Sequence, residues 1–127
     1  MSRITVDLRS RTPIFEQIIS SVRELVILGI MQPDEPLPSV RSLASELAIN
    51  PNTIQKAYAE LERQGVIYSL SGRGNFVASD IGELCKAHRK ALLENTVKAA
   101  LEAAGHGVDC EEIVAAVKNA LEGGKGE

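Results

Sequence analysis

Aromatic residues are scarce in this 127-residue chain, where they make up 3% of the sequence and tryptophan is absent. The hydrophobic core must therefore be built mainly from aliphatic side chains. A hydrophobic fraction of 44% and a charged fraction of 24% are ordinary for a soluble globular protein. A chain of this length should bury about two-thirds of its unfolded surface, enough for one domain with a short appendage.

Long apolar runs are missing as well. No stretch reaches the roughly 20 residues needed to cross a bilayer, and residues 1–5 contain no apolar signal-peptide core. We therefore expect a cytoplasmic protein with no membrane partner. Its two cysteines, Cys85 and Cys110, would have no oxidising compartment in which to pair, and they lack companions at metal-ligand spacing. The sequence predicts no cofactor and no metal site.

An excess of basic charge, typical of nucleic-acid-binding proteins, is absent, because the net charge is −3. Residues 1–79 contain 8 basic and 8 acidic side chains, whereas residues 80–127 contain 6 basic and 9 acidic ones. The acidic excess lies entirely in the C-terminal part. A neutral N-terminal domain can still bind DNA if its basic groups gather on one face.

The first third of the chain predicts an extended arm and one helix. Residues 3–8 alternate between apolar and polar side chains, as in a strand. Thr12 as the N-cap and Pro13 at the first helical position then open a helix that ends near Gly29. Residues 32–38 contain three prolines, which exclude a helix and predict a connector.

Two further helices are predicted close together. Ser39 is the expected N-cap of the second helix, and Asn50 followed by Pro51 opens a third at about residues 51–64. Gly65 can adopt the left-handed conformation that closes this helix, with the next residue packing back on it.

A β-hairpin is predicted directly after the third helix. The strand candidates are residues 66–70 and 75–78, and a glycine-bearing turn joins them. Arg73 lies between two glycines at its tip. A cation on a thin β-ribbon is well shaped for the minor groove of DNA or for its phosphates. We therefore interpret residues 71–75 as a wing.

The second and third helices form a helix-turn-helix, whose later helix enters the major groove of DNA. Its predicted buried stripe leaves a polar face made of Asn52, Thr53, Gln55, Lys56, Ala59 and Arg63. Asparagine and glutamine can pair with adenine edges, and lysine and threonine can hold phosphate or guanine. The helix N-terminus offers N–H groups to phosphate, and Arg41 lies in the first turn of the second helix.

These features also have interpretations that do not involve DNA. The third helix could be a plain surface helix, and Gly-Arg-Gly is a common hairpin tip. A winged domain used only for protein contacts would expose aromatic and aliphatic side chains on this helix, whereas this face is polar and cationic. An enzyme is not indicated, because no phosphate-binding loop, Ser-His-Asp set or paired carboxylates are recognisable. The order and spacing of the elements favour DNA binding.

The C-terminal part predicts a helical hairpin over residues 80–122, broken at residues 105–107, with a disordered tail at 123–127. Its apolar stripes could fold onto the winged domain. They are large for a two-helix appendage, however, and pairing across a two-fold axis would bury them. The predicted dimerisation residues are Leu84, Leu92, Val97, Leu101, Ile113, Val117 and Leu121.

Several motifs together resemble the signature of the GntR family. They are LPSVRSLA at 37–44, NPNTI at 50–54, AYAEL at 57–61, GVI at 65–67 and GRGNFV at 72–77. The short C-terminal hairpin is similar to that of the YtrA subfamily, whose members carry two dimerisation helices in place of a ligand-binding domain. The match spans about residues 12–79.

The resemblance implies a mostly α-helical fold with a small β-wing: a winged helix-turn-helix at 1–79 followed by the dimerisation hairpin. It implies a homodimeric transcriptional regulator, usually a repressor, that binds double-stranded operator DNA with inverted-repeat symmetry. By position it places at the DNA Ser39, Arg41, Asn52, Thr53, Gln55, Lys56, Gly72 and Arg73. Many family members carry arginines where this chain has Pro51 and Gln55, so the base preference does not transfer. The small-molecule effector, if one exists, is unknown.

A metal- or redox-responsive regulator is the alternative. Cys85 and His88 lie three positions apart on one helix face, and Cys110 or His106 could approach them at a dimer interface. The other interpretation is that these side chains serve only in packing. Measuring bound metal and the effect of oxidant on DNA binding would decide between them.

Overall fold

A computed structural model describes residues 3–125 and shows two compact units, which divide between Lys86 and Ala87. Along the described residues the elements are α1 (Ile14–Ile27), α2 (Val40–Leu47), α3 (Pro51–Arg63), β1 (Ile67–Leu70), β2 (Gly74–Val77), α4 (Gly82–Gly105) and α5 (Cys110–Lys125). This order confirms the predicted winged helix-turn-helix followed by helices. Within residues 3–125, no helix is both long and apolar enough to span a membrane.

The core of the first unit is aliphatic, as the shortage of aromatic residues requires. Its fully buried side chains include Ile18 and Val22 from α1, Leu43 from α2 and Leu61 from α3. Tyr58 is the exception to the aliphatic pattern: its ring is buried and its hydroxyl donates to the carbonyl of Pro38 at 2.8 Å. The bond satisfies the buried hydroxyl and ties α3 to the connector before α2.

The predicted caps of α2 and α3 are confirmed. The hydroxyl of Ser39 accepts a hydrogen bond from the Ser42 N–H at 3.0 Å, and Asn50 Oδ1 accepts one from the Asn52 N–H at 2.8 Å. At the end of α3, Gly65 has φ of +79°, and the N–H of Val66 donates to the Leu61 carbonyl at 2.9 Å. These features form the predicted Schellman motif.

The N-cap predicted for α1 is wrong. The helix begins at Ile14, with Pro13 as the N-cap residue and no side-chain cap. Gln17 instead bonds to the segment before the helix: its amide nitrogen donates to the carbonyls of Thr12 and Asp7, and its oxygen accepts from the Asp7 N–H. A long side chain inside the helix thus holds the preceding turn, although it satisfies none of the N–H groups of the first helical turn.

The wing has one more extended segment than the sequence predicts. β1 and β2 pair antiparallel, with Tyr68 opposite Phe76 and their rings stacked at 5.5 Å. The connector at 34–37 adds to the other edge of β2, because the Asp34 and Leu37 N–H groups donate to the carbonyls of Val77 and Asn75 at 2.9 and 2.8 Å. The prolines occupy positions where no ladder donor is needed.

The second unit contains most of the helical hairpin, since residues 82–86 of α4 belong to the first unit, and two differences from the prediction are seen. The boundary between the units lies after Lys86 rather than after residue 79, because Ile81 and Leu84 pack against the core of the first unit. Residues 123–125, which the sequence analysis assigned to a disordered tail, continue α5 in this structure. Glycines weaken a helix by about 1 kcal/mol each, but no proline ends this one. Residues 126–127 lie outside the described part.

Candidate nucleic-acid interface

The polar face of α3 is directed to solvent, as its sequence pattern requires. Ile54, Ala57, Tyr58 and Leu61 are buried on the opposite side. Asn52, Gln55 and Lys56 are exposed, and Thr53 is half-buried at the start of the helix. The amphipathic pattern of α3 therefore keeps two amide side chains and one cation free for contacts outside the first unit.

The N-terminus of α3 is less open than expected for a phosphate site. Pro51 has no N–H, and the N–H groups of Asn52 and Thr53 donate to the side chain and the carbonyl of Asn50 at 2.8 and 3.0 Å. These three positions provide no free backbone donor. The contacts available from this end of α3 are consequently those of side chains.

The second helix adds two predicted contact residues at its N-terminal end. Arg41 lies in the first turn of α2 and is exposed. The Ser39 hydroxyl accepts the capping bond from Ser42, and its own proton remains available to donate to an acceptor such as phosphate.

The wing tip is a tight turn that presents Arg73. Gly72 has φ of +77°, and the Arg73 N–H donates to the Leu70 carbonyl at 2.9 Å. A Cβ at Gly72 would meet no atom within 4 Å, so glycine is required here by the backbone conformation and not by space. The Arg73 side chain is exposed.

Hydrogen bonds hold the base of the wing. The carboxylate of Asp34 accepts from the hydroxyls of Tyr68 and Ser79 at 2.8 and 2.5 Å. These two bonds hold the pKa of Asp34 below its ordinary value, and the bond from Ser79 has the larger effect. One carboxylate thus connects the third extended segment, β1 and the residues that lead into α4.

A groove of about 310 Å³ separates α3 from the wing. Gln55 lines one side and Gly72 the other, so the structure brings together two residues that the sequence analysis assigned to DNA. Three polar residues that the sequence analysis did not single out also line it: Glu62, Ser69 and Asn75. Glu62 could have been found from its spacing, because it lies seven positions, or two turns, after Gln55 on the same face.

Arg63 was predicted among the polar side chains of α3 that face DNA, but in the structure it is paired with a neighbouring residue. Its guanidinium forms an ion pair with Glu60, with Nε to Oε1 at 2.9 Å. Hydrogen bonds from Arg63 and then from Gln64 lower the pKa of Glu60 to about 2. Arg63 is therefore engaged in an exposed ion pair within α3, whereas Lys56 is in none of the described salt bridges and is the better cation for a contact with DNA.

The helical hairpin exposes most of the predicted dimerisation residues. Leu101 and Leu121 are 68% and 64% exposed, and Leu92, Val97 and Val117 are exposed as well. Ile113 is half-buried between two grooves of about 540 and 260 Å³ along the hairpin. Two exposed residues were not predicted, Leu93 and Val114.

Leu84 does not belong with the other predicted dimerisation residues in this structure. It lies in the first turn of α4 and packs against the core of the first unit. Its apolar side chain already has a partner within its own chain. The first turn of α4 serves to attach this helix to the winged unit.

The residues of the metal or redox hypothesis lie on both helices of the hairpin. Cys85 is half-buried and Cys110 is exposed at the start of α5, and both thiols are free. His88 is half-buried on α4. Over residues 3–125, no three His, Cys, Asp or Glu side chains are grouped to hold a metal ion. Sensing by groups from two copies stays a prediction.

Comparison with known families assigns the fold. The family described as bacterial regulatory proteins of the gntR family matches residues 14–77, which run from α1 to the end of the wing. The chain belongs to the GntR family. The matched region contains every residue assigned above to the DNA interface.

Relatives of this GntR chain extend the likeness into the hairpin. The HTH-type transcriptional repressor YtrA of Bacillus subtilis is 41% identical over 111 residues, covering 87% of this chain and 85% of the relative. A crystal structure of a transcriptional regulator from Oenococcus oeni matches with a TM-score of 0.82 and 30% identity, over 91% of this chain and 97% of that one. The predicted resemblance to YtrA is confirmed.

A DNA complex is also among the structures similar to this GntR chain. The DNA-binding domain of AraR, solved in complex with operator ORX1, matches with a TM-score of 0.55 and 26% identity, covering 61% of this chain and 100% of that one. The family and these relatives are transcriptional regulators, not enzymes. This GntR chain is thus a DNA-binding transcriptional regulator with a winged helix-turn-helix.

Proposed function

We propose that this chain is a cytoplasmic repressor that binds an inverted-repeat operator as a homodimer. In each half-site α3 lies in the major groove and the wing reaches the adjacent minor groove or its phosphates. The observation that carries this proposal is the groove shared by Gln55 of α3 and Gly72 of the wing. Repression is supported by the similarity to YtrA, a protein named as a repressor.

The residues of the interface have different roles in this proposal. Asn52 and Gln55 carry exposed amides, which suit bidentate contacts with adenine, so they read base edges. Phosphate contacts fix the orientation of the domain. This second group comprises Ser39, Arg41, Thr53, Lys56, Gly72 and Arg73.

The partner of the hairpin in this proposal is a second copy of the chain. Operator symmetry mirrors protein symmetry, and one winged unit reads only one half-site. Exposed leucine and valine side chains on α4 and α5 provide apolar surface that a partner could cover. Burial of this surface across a two-fold axis would join two winged units at the spacing of two half-sites.

Base reading by Gln55 is the sharpest test of this function. An operator is first selected from a random duplex pool by the full chain, and affinities are then measured for a panel of single-base-pair substitutions. Gln55→Ala should relax discrimination at one base step, by about 1–3 kcal/mol. The matched control is Gln64→Ala at the C-cap of the same helix, where the side chain is bonded to Arg23 and Glu60. Unchanged discrimination in Gln55→Ala would contradict the assignment.

A further inference from the structure

Glu62 occupies an unusual place for an acidic residue in a DNA-binding surface. Its side chain lines the groove between α3 and the wing, together with Gln55, Gly72 and the wing residues Ser69 and Asn75. It is exposed. A negative charge has therefore been placed between the two elements that contact a polyanion in the proposed function.

The spacing along α3 locates this carboxylate relative to the proposed base contacts. Glu62 follows Gln55 by two helical turns, which is about 10 Å along the helix axis. When the N-terminal half of α3 lies in the major groove, a residue this far behind reaches the rim, where the phosphate backbone passes towards the wing. Charges separated by less than about 8 Å are not fully screened at physiological salt.

Little in the groove compensates the charge of Glu62. The Ser69 hydroxyl is at 3.4 and 3.3 Å from the two carboxylate oxygens, at the long end of hydrogen-bond distances. Glu60, by contrast, has the guanidinium of Arg63 as its partner. The described salt bridges do not include Glu62.

We infer that Glu62 limits the affinity of the interface by repelling the phosphate backbone of any DNA sequence. This inference rests on the proposed function and adds a residue that opposes binding. Binding to random DNA obtains nearly all its free energy from phosphate contacts. A fixed repulsion there makes stable occupancy depend on the base contacts of α3, and it prevents the regulator from being held on non-operator DNA.

The test measures binding of the full chain to two fluorescent duplexes, a selected operator and a scrambled one, over a series of salt concentrations. Glu62→Gln keeps the shape and removes the charge, and it should tighten binding to both duplexes by about two- to fivefold at low salt. The gain should shrink as salt increases. Thermal unfolding of each variant without DNA verifies that the fold is unchanged.

Two control variants separate repulsion from other roles of Glu62. Ser69→Ala removes the hydroxyl bonded to Glu62 and should leave both affinities unchanged, whereas a carboxylate that held the wing in place would make both variants bind more weakly. Glu24→Gln on α1 removes the same charge outside the groove and should have a smaller effect than Glu62→Gln.

The inference is overturned if Glu62→Gln binds no more tightly than the wild type, or if Glu24→Gln gains as much. Failure of the proposed function has a different signature, because the wild type itself would then bind neither duplex. If the wild type binds, and Gln55→Ala loses base discrimination while Glu62→Gln is unchanged, only the inference about Glu62 is lost.

Discussion

Lys56 is the exposed cation of α3 that the structure leaves unpaired among the described salt bridges. As a phosphate contact it should add to affinity without regard to sequence. Lys56→Ala should weaken binding to operator and scrambled duplexes alike, and it should lower the slope of log K against log salt by about one unit. Salt titrations by fluorescence anisotropy measure both quantities.

The control for Lys56 is Lys118→Ala, which removes an exposed cation from α5. This variant should keep the wild-type slope. If the loss in Lys56→Ala were confined to one base pair of the operator, Lys56 would be a base contact and the phosphate role would be wrong.

Individual residues also show what the sequence could not reveal. The helical period correctly predicts that Gln55 and Lys56 face solvent, because it depends only on which side of α3 is apolar. It cannot distinguish Arg63 from Lys56, since the ion pair of Arg63 with Glu60 depends on side-chain geometry. The helical period also cannot reveal the role of Glu62, because that role depends on the wing, which lies beside Glu62 in the fold.

The turn between α2 and α3 sets the geometry of the helix-turn-helix and contains a strained residue. Ala48 has φ of +56°, and the next N–H, that of Ile49, donates to the Ala44 carbonyl at 3.0 Å. This is the arrangement that usually employs glycine, because a Cβ is disfavoured in the left-handed conformation. The turn therefore retains its geometry at some cost in stability.

Replacing Ala48 by glycine should stabilise the protein. Relief of the strain exceeds the extra entropy that glycine gives to the unfolded chain, and we expect a net gain of about 0.5 kcal/mol. Urea unfolding at matched protein concentration measures it. The same substitution at Ala59, an exposed position inside α3, should instead destabilise by about 1 kcal/mol. A loss of stability in Ala48→Gly would contradict the strain argument.

Three helix ends with local signals were predicted well, although the cap predicted from the local signal at Thr12 was wrong. Ser39, Asn50 and Gly65 end or begin helices through bonds to residues close in the chain, and all three are confirmed. The third extended segment at 34–37 was missed because its partner, β2, lies some forty positions later. Prolines exclude a helix there, but nothing local shows that the remaining N–H groups pair with the wing.

In the proposed dimer, the apolar surface of the hairpin joins the two copies of the chain. Leu101→Glu should place a charge in the interface and yield a monomer that binds the operator much more weakly. Leu8→Glu is the matched control, since Leu8 in the N-terminal arm is 68% exposed, as is Leu101. Sedimentation measures the mass, and a dimeric Leu101→Glu would remove this residue from the interface.

The molecule divides after Lys86, seven residues beyond the sequence-based boundary at residue 79, and this difference matters for experiments. Ile81 and Leu84 complete the core of the winged unit, so a fragment that ends at residue 79 would lose buried surface as well as the hairpin. A fragment ending at Lys86 retains both side chains. Periodicity located the hairpin correctly, but it could not tell which of its first residues pack on the preceding unit.

The most direct test of the account is a hydroxyl-radical footprint of the full chain on its selected operator. We expect two protected tracts related by two-fold symmetry, with centres one helical turn of about 10 base pairs apart or a multiple of it. Arg73→Ala should reduce protection at the minor-groove positions flanking each tract. A single asymmetric tract, or no protection even at low salt, would contradict the claim that paired copies of α3 and the wing bind operator DNA.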